Sequence, residues 1–205
     1  GQRHDSREFS ELLPSLFERL SFLGLTADNV TLVFDKGNNS RENIQRCADY
    51  HYVGALVVTH YPDLMAIPLS EYAEVSPGVK AYLTTRKVYG QEHRLCLAWS
   101  EAFAVSQERG VWLQLNKRLA RLAQEAERLE AWISGEHQSG CPPTLASVQK
   151  KVSHILCGQH MAKLITVNLQ ETAEGMVRLE YAVNEAAFAK LKATLFGKNL
   201  LFTNR

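Results

Sequence analysis

Asp35 closes the apolar run Val30 to Phe34 and is followed by Lys36, Gly37, Asn38, Asn39 and Ser40. A carboxylate at the tip of an apolar strand is costly to place unless a cation or a substrate meets it. Ligands of α/β sheets gather at the carboxyl ends of the strands, which is where this acid falls. Gly37 allows a tight turn or a close approach to a ligand. Asn38, Asn39 and Ser40 offer neutral hydrogen-bonding groups and open a helix whose N-terminus favours anions. One carboxylate beside such amides suits a divalent metal holding a phosphate. The same residues also suit a plain turn, because Asp after a strand starts turns through its own side chain and Gly-Asn-Asn is ordinary turn chemistry.

Two other strand-end aspartate chemistries do not fit. A haloacid-dehalogenase-like phosphatase needs a second acid where Gly37 stands, and a response-regulator receiver needs an upstream acidic pair that is missing. His60 falls at the end of a second apolar run and becomes a candidate substrate contact if the two strands are neighbours. Thr203 and Asn204 end a third run, where turn formation is the simpler reading. His154, Cys157 and His160, with Cys141, have spacing that could hold a metal, but Ile155 belongs to an apolar stripe and zinc sites favour tighter pairs. Lys117, Arg118 and Arg121 could track a phosphate backbone. Glu125, Glu127 and Glu130 follow them, and Arg121 with Glu125 reads as an i,i+4 pair on a solvated face. Tyr89, His93 and Arg94 are further candidates for contact with a polyanion that periodicity alone does not decide.

The elements that position these groups follow from periodicity. Phe9, Leu12, Leu13, Leu16, Phe17 and Leu20 mark an amphipathic helix containing Pro14, capped by Asp5 or Ser6 and ended by Gly24. "NVTLVFD" reads as a strand covered on both faces, then a helix over 41–50 capped by Ser40, then a second strand over 52–58. Helix, strand, helix, strand is the rhythm of an α/β layer with parallel neighbours. A β-hairpin about Gly90-Gln91 follows, then a long helix whose seam of Trp112, Leu115, Leu119, Leu122, Ala126, Leu129 and Ile133 needs a partner. Leu145, Val148, Val152 and Ile155 supply the antiparallel return. Two strands, a helix capped by Asn184 and closed by Gly197, and a last strand complete the chain.

The 205 residues are 45% apolar and 22% charged with a formal charge of +1, the profile of a folded domain with no global field for polyanions. Four scattered cysteines, Cys47, Cys96, Cys141 and Cys157, fit free thiols of a reducing compartment, so a cytoplasmic location is expected. No apolar run reaches the ~18 residues of a membrane span.

"VTLVFDKGNNSRENI", "YHYVGALVVTHYPDLMAIPLSEY", "TRKVYGQEHRLCLAWSEAFAVSQ" and "FGKNLLFTN" together resemble the central part of a DDE-class insertion-sequence transposase, in the branch with an insertion in its catalytic core. The resemblance implies a partial ribonuclease H-like α/β core over 1–70, an insertion of β-hairpin plus helical hairpin over 71–160, and closing strands and helix over 161–205. It also implies that Asp35 is a catalytic metal ligand, one of three acids holding two Mg2+ or Mn2+ ions for DNA cleavage and joining. Gly37, Asn38, Asn39, Ser40, His60, Thr203 and Asn204 would lie near substrate. The partners implied are transposon-end and target DNA and a second copy of the enzyme. The family's first Asp, upstream of a Gly-Asn-x-x-Asp segment that "GQRHD" resembles, and its Glu in a Tyr-x-x-Arg-x-x-x-Glu helix have no counterpart here. The expectation is therefore an internal fragment without catalytic competence alone. The alternatives are a non-catalytic assembly module built on the helical hairpin and a metal-dependent nuclease.

Overall fold

The computed structural model describes residues 5–136 and 140–205. The side chains of residues 5 and 6, and with them the expected helix cap, lie outside the described residues, as does "GQRH". The chain divides into two compact units, one comprising 1–104 with 194–205 and the other 105–193.

In the first unit, helix α1 (Asp5–Phe22) buries Leu13 and packs Phe9, Leu16 and Phe17 on the core. It ends in a Schellman turn: the Leu25 N–H donates to the Leu20 carbonyl at 3.0 Å and that of Gly24 to Ser21 at 2.9 Å, with Gly24 at φ +70°. Strand β1 (Thr31–Phe34) lies parallel to β2 (His51–Leu56), joined through a 3-10 turn, Lys36–Asn38, and helix α2 (Arg41–Arg46). Helix α3 (Pro62–Met65) leads to β3 (Ala73–Ser76), β4 (Val79–Val88) and β5 (Gln91–Ser100). Strand β8 (Lys198–Thr203) returns from the far end of the chain. The strands form one six-stranded mixed sheet in the order β1-β2-β8-β5-β4-β3, with every pairing except β1–β2 antiparallel.

Period-2 alternation splits this sheet into two unlike faces. One carries Phe34, Tyr52, Leu56, Leu95, Leu97, Leu200 and Phe202, all buried in the core with Leu13, Ile44 and Cys47. Gly54 is on this face because a Cβ there would collide with the rings of Phe34 and Phe202. The other face carries Val33, 78% exposed, and Leu83, 74% exposed. The expectation that β1 is covered on both faces is thus corrected. β1 is a sheet-edge strand with Phe34 as its buried residue, and its apolar composition on both parities does not distinguish an edge from a centre.

Three boundaries also shift. Helix α2 is shorter than expected, ending at Arg46 with Cys47 as its cap, and β2 stops at Leu56. The hairpin turn is Tyr89-Gly90 rather than Gly90-Gln91. The hairpin and β8 join the same sheet as β1 and β2, and the compact units part near 104 and 193.

In the second unit the body of helix α4 (Glu101–Ile133) buries Leu115, Leu122 and Leu129 along the expected seam. Helix α5 (Leu145–Ile155) returns with Val148, Val152 and Ile155 buried. The run is antiparallel, since Glu125 meets Lys151 while Arg118 meets Cys157. Short α6 (Met161–Leu164) leads into the two-stranded pair β6 (Ile165–Glu171) and β7 (Val177–Val183), and α7 (Glu185–Leu195) follows. α7 lies along α4 through Trp112 and Phe188, ring centroids 4.8 Å apart, and the Lys192–Glu108 ion pair at 2.9 Å. No helix among the described residues is long and apolar enough to cross a membrane.

Candidate functional site

Asp35 follows the last residue of β1 and caps the 3-10 turn. Its Oδ1 accepts the Lys36 backbone N–H at 2.7 Å, and the side chain is exposed. That bond is a turn-forming interaction of the kind Asp often makes, and it leaves the other carboxylate oxygen free to face solvent. The acid therefore stands at the strand end where a ligand could reach it, on the same end of the sheet as the close of β2.

The residues after Asp35 hold this loop to the sheet. The Asn39 amide donates to the Ala55 carbonyl at 2.5 Å, which ties the loop to β2. The Asn43 amide donates to the Asn38 carbonyl at 2.8 Å, and Ser40 Oγ accepts the Asn43 N–H at 3.1 Å as the cap of α2. Asn39 and Ser40, expected to face substrate, thus spend side-chain groups on the fold. Gly37 sits inside the 3-10 turn, as a tight turn there requires, but it is not among the glycines with positive φ.

The β4–β5 hairpin packs beside this loop. Tyr89 has φ +52° and Gly90 φ +88°, the two left-handed positions of a two-residue hairpin turn. A bulky residue pays strain there, and the Tyr89 ring offsets it by packing on Phe202 at 5.9 Å. Burial pushes the Tyr89 phenol up, Tyr61 adds to the rise, and the Asn39 amide works the other way. The Arg41 guanidinium lies against Gly90. Arg86 binds Asp63 at 2.7 Å and sits over the Tyr61 ring at 5.5 Å. That pair holds the Asp63 carboxyl below the usual range, the Arg86 hydrogen bond being the main cause.

Among the described residues, no hydrogen bond to Asp35 comes from the remaining sequence candidates. His60 ends an exposed 3-10 turn at the close of β2, and no hydrogen bond links it to Asp35 among the described residues. Thr203 pairs with Val53, level with Val33 but two strands away. Asn204 turns toward the start of β2, its amide donating to the Tyr50 carbonyl at 2.9 Å and its Oδ1 accepting the Tyr52 N–H at 3.1 Å. It stitches β8 to β2. His93, an open candidate for DNA contact, is buried at 2% exposure. Its Nε2 is 2.7 Å from the Tyr52 hydroxyl and its Nδ1 is 3.0 Å from the Gln91 carbonyl. With Nδ1–H donating to that carbonyl, Nε2 accepts from Tyr52, whose phenol burial pushes up to about 12.

No group of three or more His, Cys, Asp or Glu that could hold a metal occurs among the described residues. Asp35 therefore offers one carboxylate, and His154, Cys157, His160 and Cys141 do not form a ligand set.

Two buried charges escaped the sequence reading. Lys198 is 3% exposed and its Nζ donates to the carbonyls of Met65 at 2.7 Å and Ile67 at 3.0 Å, with the Tyr72 ring centroid 5.6 Å away. Burial lowers its pKa. Its period-2 relation to Leu200 and Phe202 was the available signal. Glu125 is 2% exposed and bound by Arg128 and Lys151, not by Arg121. Comparison with protein-family models, with curated proteins and with solved structures gave no match.

Proposed function

We propose that this chain is part of a DDE-class insertion-sequence transposase and contributes one acid to its DNA-cleaving centre. The observation that carries the reading is the exposed Asp35 carboxylate, set by β1 at a strand end and held there by a loop bonded to β2 through Asn39. The sequence resemblance over the strand ending in Asp-x-Gly-Asn-Asn-Ser and the closing Phe-Gly-x-x-x-Leu-x-Thr-Asn supports it. A single carboxylate does not fit a two-metal centre, which needs several anionic ligands around both ions. The residues of this chain alone do not satisfy that requirement, and no step is assigned to a metal.

What these residues do is position. Asp35 presents an oxygen to solvent, Asn39 fixes the loop against β2, and Ser40 fixes the start of α2. The assembly-module alternative relied on the helical seam. That seam buries Leu115, Leu122 and Leu129 within its own unit against the return helix, which supports an internal partner for it.

The test is a DNA strand-transfer assay on the polypeptide encoded by this sequence together with its flanking coding sequence. Joining of cleaved ends to target DNA supports transposition. Hydrolysis without joining supports the nuclease alternative, and neither reaction contradicts both.

A further inference from the structure

The helical hairpin carries an open recess of about 230 Å3, lined by Arg121, Gln124, Glu125, Arg128, Lys151 and Ile155. Its charges do not cancel. Arg121, Arg128 and Lys151 give three positive charges and Glu125 one negative, leaving two positive. Glu125 forms the floor. It takes Arg128 Nη2 at 2.6 Å and Nε at 3.1 Å, and Lys151 Nζ lies against its Oε2. Burial pushes this carboxyl up, but the hydrogen bonds from Arg128 and Lys151 outweigh it and hold the group below its usual range.

The floor uses only part of what its two cations offer. Arg128 has five N–H donors and Lys151 three, so donors remain for a ligand above. Both side chains keep an exposed portion, 39% for Arg128 and 51% for Lys151, so those donors reach solvent. Arg121 stands beside them with no acidic partner among the described residues. The i,i+4 acid that should have neutralised it is buried and already held by the other two. The further acids of α4 are no substitute: by helical spacing Glu127 and Glu130 fall on the other side, and Glu130 binds Arg178 at 3.4 Å. Lys117 continues the basic row one turn before Arg121, while Arg118 donates to the Cys157 carbonyl at 3.0 Å.

We infer that this recess binds a phosphate group of a nucleic-acid backbone, with Arg121, Arg128 and Lys151 as donors and Glu125 as the positioning residue beneath them. Guanidinium forks and an ammonium match phosphate oxygens. An open recess beside a basic row suits one phosphate of an extended polyanion better than an enclosed small molecule. The choice of duplex DNA as the source rests on the transposase reading; the phosphate chemistry does not.

The experiment measures binding of a fluorescent DNA duplex to the whole chain across a salt series, with pyrophosphate as a second probe. Arg121→Glu is compared with Arg109→Glu, which makes the same change in net charge at another exposed position of α4. The expected result is a loss of about tenfold or more for Arg121→Glu and a fall of about one or more in the slope of log affinity against log salt. Arg109→Glu should change affinity by no more than about twofold. Equal losses in both variants, or no loss in either, overturn the recess as a site, and duplex binding by the parent chain would then leave the DNA reading standing. Pyrophosphate binding that depends on Arg121, without duplex binding, supports the recess and removes DNA as its source.

Discussion

At the tip of β1 the Asp35 carboxylate faces solvent and takes its hydrogen bond from the neighbouring Lys36 N–H, whereas on α4 the Glu125 carboxylate is 2% exposed and gripped by Arg128 and Lys151. Both acids lie in sequences that could be read as binding sites. Their surroundings give them opposite capacities. The first has no cation of its own among the described residues, and its outer oxygen meets solvent. The second already has two, and its effect is to hold their remaining donors toward an anion. The electrostatic role of a carboxylate is thus set by which charges the fold brings to it, and α5 decides the matter for Glu125.

The largest expected effect separates the two acids by activity. On the transposase reading, Asp35→Asn in a polypeptide competent for DNA cleavage should reduce that cleavage to background while leaving the thermal midpoint unchanged, measured by duplex nicking and by circular dichroism. The side chain is exposed and the amide can still accept from Lys36. Cleavage retained in Asp35→Asn breaks the comparison at its first limb.

Next comes stability. Glu125→Gln should cost about 1–3 kcal/mol in urea unfolding, less than a fully buried pair because Arg128 and Lys151 are partly exposed. A smaller cost in high salt is expected for the same reason. The acid limb of the stability profile sharpens this. Glu125 is held below its ordinary value of 4.5, so the unfolded state binds protons more readily. Its contribution is complete above about 4.5 and is lost as pH falls through the lower folded value. Unfolding midpoints measured down this range should fall less steeply in Glu125→Gln than in the parent chain. The smallest effect concerns the loop: Ser40→Ala removes the cap of α2 and should cost about 1 kcal/mol by the same urea measurement.

Much of the architecture was legible because period carries it. The seam through Leu115, Leu122 and Leu129 and its return through Val148, Val152 and Ile155 could be read from apolar spacing, as could the β4–β5 hairpin. The place of Asp35 at a strand end was legible too. The burial of β1 was not, since Val33 differs from Phe34 only in which face has a cover. Neither was the insertion of β8 between β2 and β5, a pairing of residues about a hundred positions apart or more. Arg121 and Glu125 show the limit of local spacing. An i,i+4 pair was a fair expectation from α4 alone, and Lys151 arrives from another helix to change it. The resemblance places Asn204 near substrate, yet its amide is consumed at both ends by the backbone of Tyr50 and Tyr52.

The contrast between the two carboxylates is most directly tested by side-chain 13C NMR of the carboxyl groups during titration with a neutral, soluble paramagnetic relaxation agent. The account predicts that the Asp35 carboxyl resonance broadens early in the titration while that of Glu125 stays sharp. A broadened Glu125 signal beside an unaffected Asp35 would contradict it.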